Sequence, residues 1–114
     1  IIDMPPGIGD ATLDMIRLIP RIEFLVVTTP SRLAYESVRK LLVLLRDQGI
    51  PTIGVLENMS MKHTDYIEEQ TKVASTRYLG CIDFDETLEV SIGYPESLVK
   101  TNLYKQLAEL CETI

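Results

Sequence analysis

Apolar residues occur along this chain in three continuous runs that do not alternate with polar residues. The runs are EFLVVTT (23–29), PTIGVLEN (51–58) and RYLGCIDF (77–84). Continuous apolar and β-branched runs are typical of parallel strands that are covered on both faces. We therefore predict a parallel sheet, buried on both faces, with strands near 24–29, 52–57 and 79–84.

A clear helical periodicity separates the first two runs, in SRLAYESVRKLLVLLRDQG (31–49). Ser31 is the predicted N-cap of this helix, and Gly49 is its predicted C-terminal stop. The apolar positions at helical spacing are Leu33, Val38, Leu41, Leu42 and Leu45. We predict that this stripe packs against the sheet.

Three other segments complete the pattern. A C-terminal helix is predicted over 101–114, with an apolar stripe formed by Leu103, Leu107, Leu110 and Cys111. A short helix is predicted to follow Asp10, its N-cap, and to end before Pro20. Residues 62–76 are polar and weakly periodic, so this segment is predicted to form either a surface helix or a mobile excursion from the fold. The alternation of strands and helices predicts one α/β domain over residues 1–114, a three-layer fold with helices flanking a parallel sheet.

Charge and cysteine content narrow the classes of function. The net charge is −6, and the basic residues are scattered, whereas a nucleic-acid surface needs clustered cations. No apolar run reaches the roughly 18 residues of a membrane span. Cys81 and Cys111 are far apart in sequence and are predicted to be reduced, packed thiols of a cytoplasmic protein. A chain without an initiator Met is expected to be a piece of a longer protein.

Candidate ligand-binding residues follow the predicted strands, because open parallel sheets bind ligands at the carboxyl ends of their strands. Asp3 follows Ile1–Ile2, and a half-buried carboxylate there would need compensation, for which hydrated Mg²⁺ is suited. A turn cap is the alternative for Asp3. Gly7 lets the backbone approach a ligand closely. Asn58 offers a donor and an acceptor to a purine edge or, alternatively, bonds its own turn. His63 has no partner at metal-ligand spacing and is expected to be a surface residue.

Four blocks of sequence occur together in a characteristic order. They are IIDMPPGIGD, VVTTPSRLAYESVRKLL, GIPTIGVLENMS and YLGCIDFDETL. In this order and spacing they resemble the C-terminal half of Mrp-type ATPases, which belong to the MinD/ParA-like P-loop NTPases and include many iron–sulfur cluster carriers. The resemblance implies a partial P-loop NTPase fold that takes part in binding ATP.

The resemblance also implies a role for each matching residue. Asp3 matches the acid that holds Mg²⁺ through water after the Walker B strand. Gly7 matches the glycine whose N–H senses the γ-phosphate of ATP, and Asp10 follows it in the same switch segment. Asn58 matches the asparagine that reads the adenine edge, and Asp83–Asp85 match the loop on the other side of the base.

Two features of the family do not occur in the chain. The glycine-rich phosphate loop is absent, so this piece is expected neither to bind ATP tightly nor to hydrolyse it. The family's Cys-x-x-Cys is replaced by Met61-Lys62-His63-Thr64-Asp65, which argues against an iron–sulfur cluster.

The leading hypothesis is a fragment of a cytoplasmic, dimeric Mrp/MinD-like ATPase. A non-enzymatic protein-interaction module is second. A carrier using Cys81 or Cys111 across a dimer is third, with Cys81 expected to point into the core.

A structural consequence concerns the first residues. In the family, the strand that leads into the phosphate loop lies between the Asp3 strand and the strand matching 23–29. Without it, residues 1 to about 12 are expected to be poorly ordered or rearranged. Ile2 is then expected not to pair beside Val26.

Overall fold

The computed structural model, which describes all 114 residues, contains three strands and six helices. The elements are α1 (Asp10–Leu18), β1 (Phe24–Thr28), α2 (Arg32–Asp47), β2 (Thr52–Ser60), α3 (Tyr66–Val73), β3 (Tyr78–Asp83), α4 (Leu88–Ser91), α5 (Pro95–Leu98) and α6 (Asn102–Thr113). The strands form one parallel sheet in the order β1-β2-β3. Helices flank this sheet, which confirms the predicted α/β class.

The strand positions follow the apolar runs, with one extension that matters for the site. β2 continues to Ser60, so Asn58 lies inside this strand and not at its end. The 62–76 segment contains a helix, α3, and two of its side chains, Ile67 and Thr71, are fully buried. The alternative of a mobile excursion is therefore wrong for residues 66–73.

The core lies between the sheet and helices α2 and α3. Its buried apolar residues are Phe24, Val26, Tyr35, Leu42, Leu45, Val55 and Ile67. Helix α2 has the predicted ends, since the Ser31 hydroxyl accepts from the Ala34 N–H at 3.4 Å and Gly49 has a φ of +67°. Leu33 is exposed, in contrast to the prediction for its stripe, because it lies in the first turn on the solvent side of the helix.

The prediction that all strands are buried on both faces is wrong for β1. Phe24, Val26 and Thr28 are buried, whereas Leu25 and Val27, which point to the other face, are 40% and 49% exposed. β1 is an edge strand, and α6 packs against β3 at the opposite edge of the sheet. The alternate side chains of β1 therefore have no helix above them.

Residues 1–9 lie outside the helices and strands, and Ile2 does not pair with Val26. Residues 10–12, which belong to the segment predicted to be poorly ordered or rearranged, form the first turn of α1. Asp10 is the first residue of this helix and Gly9 is its N-cap, so the prediction of Asp10 as the N-cap is wrong by one position. The helix ends at Leu18, before Pro20, as predicted.

Helix α6 presents a different stripe to the sheet than the apolar pattern predicted. The half-buried side chains are Leu103, Gln106 and Leu110, whereas Leu107 and Cys111 are exposed. Gln106 faces inward because its amide is paired with Asp83. Cys111 is consequently a free, exposed thiol and not a packed one.

No helix of the fold combines the length and the apolar character that crossing a membrane requires.

Replacing Tyr35 by phenylalanine is expected to raise the free energy of unfolding by about 1 kcal/mol. Tyr35 is fully buried, and its hydroxyl has no hydrogen-bond partner. Removing this hydroxyl relieves the desolvation cost of an unpaired polar group and keeps the ring that packs edge-on against Tyr66. Urea denaturation measures the change. Tyr66→Phe, in the same aromatic pair but only half-buried, is the control and should change stability little. A destabilised Tyr35→Phe variant would contradict the unpaired hydroxyl.

Candidate functional site

The carboxyl ends of the three strands meet at one edge of the sheet, because the strands are parallel. β1 ends there at Thr28, β2 at Ser60 and β3 at Asp83. The N–H of Phe84 donates to the Ser60 carbonyl at 3.0 Å and joins the exits of β2 and β3. Asn58 and the Asp83–Asp85 loop therefore lie along the same edge.

Asn58 is half-buried near the end of β2. Its Oδ1 accepts a hydrogen bond from the Met59 N–H at 2.8 Å. This bond to the neighbouring backbone corresponds to the alternative prediction, in which Asn58 bonds its own turn. Its Nδ2 donates to no group of the chain. The side chain is thus oriented by its own backbone and keeps a free donor for a ligand.

The Asp83–Asp85 loop is fastened to α6. Gln106 bonds Asp83 twice, since its Oε1 accepts from the Asp83 N–H at 2.9 Å and its Nε2 donates to Oδ2 at 2.9 Å. Oδ1 of Asp85 accepts from the Thr87 hydroxyl and N–H, and Oδ2 accepts from the Leu103 N–H. These bonds, the one from the Thr87 hydroxyl first, lower the pKa of Asp85. Both Asp85 oxygens are thus engaged within the protein.

The N-terminal candidates form a separate group. Asp3, Gly7 and Asp10 are exposed, and no hydrogen bond joins them to the carboxyl edge of the sheet. The expected half-burial of Asp3 is wrong, because the two residues before it form no strand. Gly7 has a φ of +86° and open space where a Cβ would lie, and its carbonyl accepts from the Thr12 hydroxyl at 3.3 Å. No hydrogen bond links any of these three residues to Asn58.

A group that the sequence interpretation missed lies at the exits of β2 and β3. His63 Nδ1 is 3.1 Å from Cys81 Sγ, and His63 Nε2 is 3.4 Å from Asp83 Oδ1. His63 is exposed as expected, but it has two partners, and Cys81 is half-buried beside it and not directed into the core. Cys81 and Asp83 are two residues apart on one strand and so share a face. That spacing, next to a histidine after the neighbouring parallel strand, is the signal that could have found the group.

A buried carboxylate, that of Glu57, lies beside this group. Glu57, which is 1% exposed, pairs in register with Cys81 across β2 and β3. Its Oε2 accepts from the Tyr78 hydroxyl at 3.2 Å, and its Oε1 is buried without a partner. Burial, and then the charges of Glu57 and Asp83, raise the pKa of the Cys81 thiol. Cys81 therefore lacks the electropositive surroundings of an activated nucleophile.

The sequence of this chain matches a known protein family and several of its members. A family model described as ParA, NUBPL iron-transfer P-loop NTPase, matches residues 1–113. An iron–sulfur cluster carrier protein of Escherichia coli K12 is 32% identical over 96% of this chain and 35% of its own length. A protein of the same name from Aquifex aeolicus is 32% identical over 99% of the chain and 37% of its own length.

A eukaryotic relative matches as well. The cytosolic Fe-S cluster assembly factor nubp2 of Xenopus tropicalis is 30% identical over 88% of this chain and 43% of its own length. The chain thus spans less than half of the length of these relatives. Since the family model covers nearly every residue, the chain belongs to the ParA family of NUBPL-type iron-transfer P-loop NTPases.

Proposed function

We propose that this chain supplies the switch and base-recognition segments of an ATP-hydrolysing P-loop NTPase that acts in iron–sulfur cluster assembly. The observation that carries the proposal is the family match over residues 1–113. The phosphates would be bound by a glycine-rich loop elsewhere in the full-length protein, since the chain spans only 35–43% of the relatives' length. A homodimer and a cytoplasmic location belong to the same proposal, the latter supported by the cytosolic frog relative.

The N-terminal residues provide some of the groups that binding Mg²⁺ and a phosphate would require. The Asp3 carboxylate is exposed and free of ion pairs, so it could hold a hydrated Mg²⁺ ion through water. Gly7 leaves open space for a phosphate oxygen to reach its backbone, and Asp10 follows at the start of α1. Bound Mg²⁺ supplies charge neutralisation at the phosphates.

The carboxyl edge of the sheet provides fewer free groups for binding the base of ATP. Asn58 has a free amide donor for a ring nitrogen or carbonyl of the base. Asp83 and Asp85 are bonded to α6, and we propose that they shape the loop beside the base. Asp85 is not a direct ligand in this proposal, because both of its oxygens already accept hydrogen bonds.

The iron–sulfur cluster would be cargo that other residues hold. The chain has only two cysteines, on β3 and α6, and contains no Cys-x-x-Cys. This absence favours a second candidate function, a protein-interaction module that keeps the fold without nucleotide chemistry. Nucleotide binding by the full-length protein distinguishes the two.

Calorimetry of the full-length protein is expected to show Mg-ATP binding that depends on Asn58. Asn58→Ala should weaken ATP binding about tenfold and reduce the preference for ATP over GTP, since it removes one directional hydrogen bond to the base. Gln48→Ala, which removes an exposed amide after α2, is the matched control and should bind like the unaltered protein. Absence of any heat of Mg-ATP binding by the unaltered protein would favour the interaction module instead.

A further inference from the structure

The group at the exits of β2 and β3 has the composition of a metal site. His63, Cys81 and Asp83 each offer one ligand atom, and these atoms lie within 4.8 Å of one another. Two ligands of one tetrahedral zinc ion lie about 3.3–3.7 Å apart, given bonds of about 2.0–2.3 Å. We propose that these three residues bind a single thiophilic divalent cation, for which Zn²⁺ is the best match.

The donor set selects this class of metal. Thiolate, imidazole and carboxylate ligands together are typical of Zn²⁺ and of neighbouring transition metals. Mg²⁺ and Ca²⁺ prefer oxygen ligands alone, so a site containing Cys81 does not suit them. On binding, the Cys81 thiol gives its proton to solvent and the thiolate takes its place on the ion. Three protein ligands at an exposed edge leave a fourth position for water.

The surroundings support the three ligands. Gln106 donates to Oδ2 of Asp83 at 2.9 Å, which holds the carboxylate so that Oδ1 faces His63. Hydrogen bonds of this kind orient the ligands of many protein metal sites. The imidazole is largely exposed, so the protein leaves room for the ring to turn and present one nitrogen to an ion held by the other two ligands.

A buried carboxylate next to Cys81 in the sheet has an oxygen without a hydrogen-bond partner. Glu57 pairs in register with Cys81, and its Oε1 has no hydrogen-bond partner although the residue is 1% exposed. A buried carboxylate with an orphan oxygen is costly unless a cation lies nearby. A divalent cation on Cys81 and Asp83 would balance the negative charge of this corner of the protein.

The test is a Zn²⁺ titration of the reduced full-length protein in competition with a chromogenic chelator, repeated with Co²⁺ as a spectroscopic probe. His63→Ala is expected to lose one equivalent of Zn²⁺ or to bind it at least about tenfold more weakly. Cys81→Ser should in addition remove a thiolate-to-Co²⁺ charge-transfer band. Cys111→Ser, which changes the exposed cysteine on α6, is the matched control and should retain both signals.

The proposal is overturned by any of three results. These are no Zn²⁺ binding that depends on His63, an unchanged Co²⁺ band in Cys81→Ser, and a loss of the ion in Cys111→Ser. Circular dichroism verifies that the variants are folded, and Asp83→Asn provides a further test because it keeps the size of the side chain. Its Zn²⁺ affinity should fall without a change in secondary structure.

Discussion

Replacing Ile67 by alanine is expected to lower the free energy of unfolding by about 2–5 kcal/mol. Ile67 is fully buried in α3 and belongs to the core with Tyr35 and Leu45. Truncation leaves a cavity between α3 and the sheet, which the neighbouring side chains cannot fill completely. Since domains are stable by only about 5–15 kcal/mol in total, this one substitution removes a large share.

Val73→Ala is the matched control for this experiment. Val73 lies in the same helix but is 80% exposed, so its truncation is expected to change stability by less than about 0.5 kcal/mol. Urea denaturation followed by circular dichroism measures both variants. Equal midpoints for Ile67→Ala and Val73→Ala would mean that α3 is not docked on the core.

The sheet could be predicted from the sequence because its signal is local. The apolar runs that contain Val26 and Val55 are continuous over the whole strand, and both runs became strands of the parallel core. The burial of α3 could not be predicted in the same way. Ile67 and Thr71 are its only buried residues, and they stand in a segment that is otherwise polar. Their burial is decided by packing against the sheet, which periodicity does not report.

The candidate site was less predictable because it depends on which strands are neighbours. His63 and Cys81 are 18 residues apart and meet only because β2 and β3 pair in parallel. A bulge at Leu79, between the register pairs of Tyr78 and Gly80, further decides which face Cys81 presents. For Asp3, the missing strand neighbour explains why the prediction was wrong. Its expected half-burial assumed a strand, and a strand needs a partner that residues 1–3 do not have here.

Replacing Asp3 by alanine in the full-length protein is expected to lower Mg²⁺-dependent ATP turnover at least about a hundredfold. This prediction follows from the proposed role of Asp3 as the residue that holds Mg²⁺ through water. A metal ion contributes several kcal/mol to the stabilisation of the transition-state charge, and about 1.4 kcal/mol corresponds to tenfold in rate. Asp3 is exposed and makes no hydrogen bond or ion pair within the chain, so its loss should leave the fold unchanged.

The measurement is steady-state phosphate release over a range of Mg²⁺ concentrations. Asp14→Ala is the matched control, because it removes another exposed carboxylate from the N-terminal region without touching the proposed switch segment. If Asp3 acts through the metal, the residual turnover of Asp3→Ala needs a higher Mg²⁺ concentration, while Asp14→Ala keeps the Mg²⁺ dependence of the unaltered protein. A folded Asp3→Ala protein with turnover within twofold of the unaltered protein would contradict the proposed role. Since Asp3 supports no packing in the structure, a hundredfold loss could not be attributed to a disturbed core.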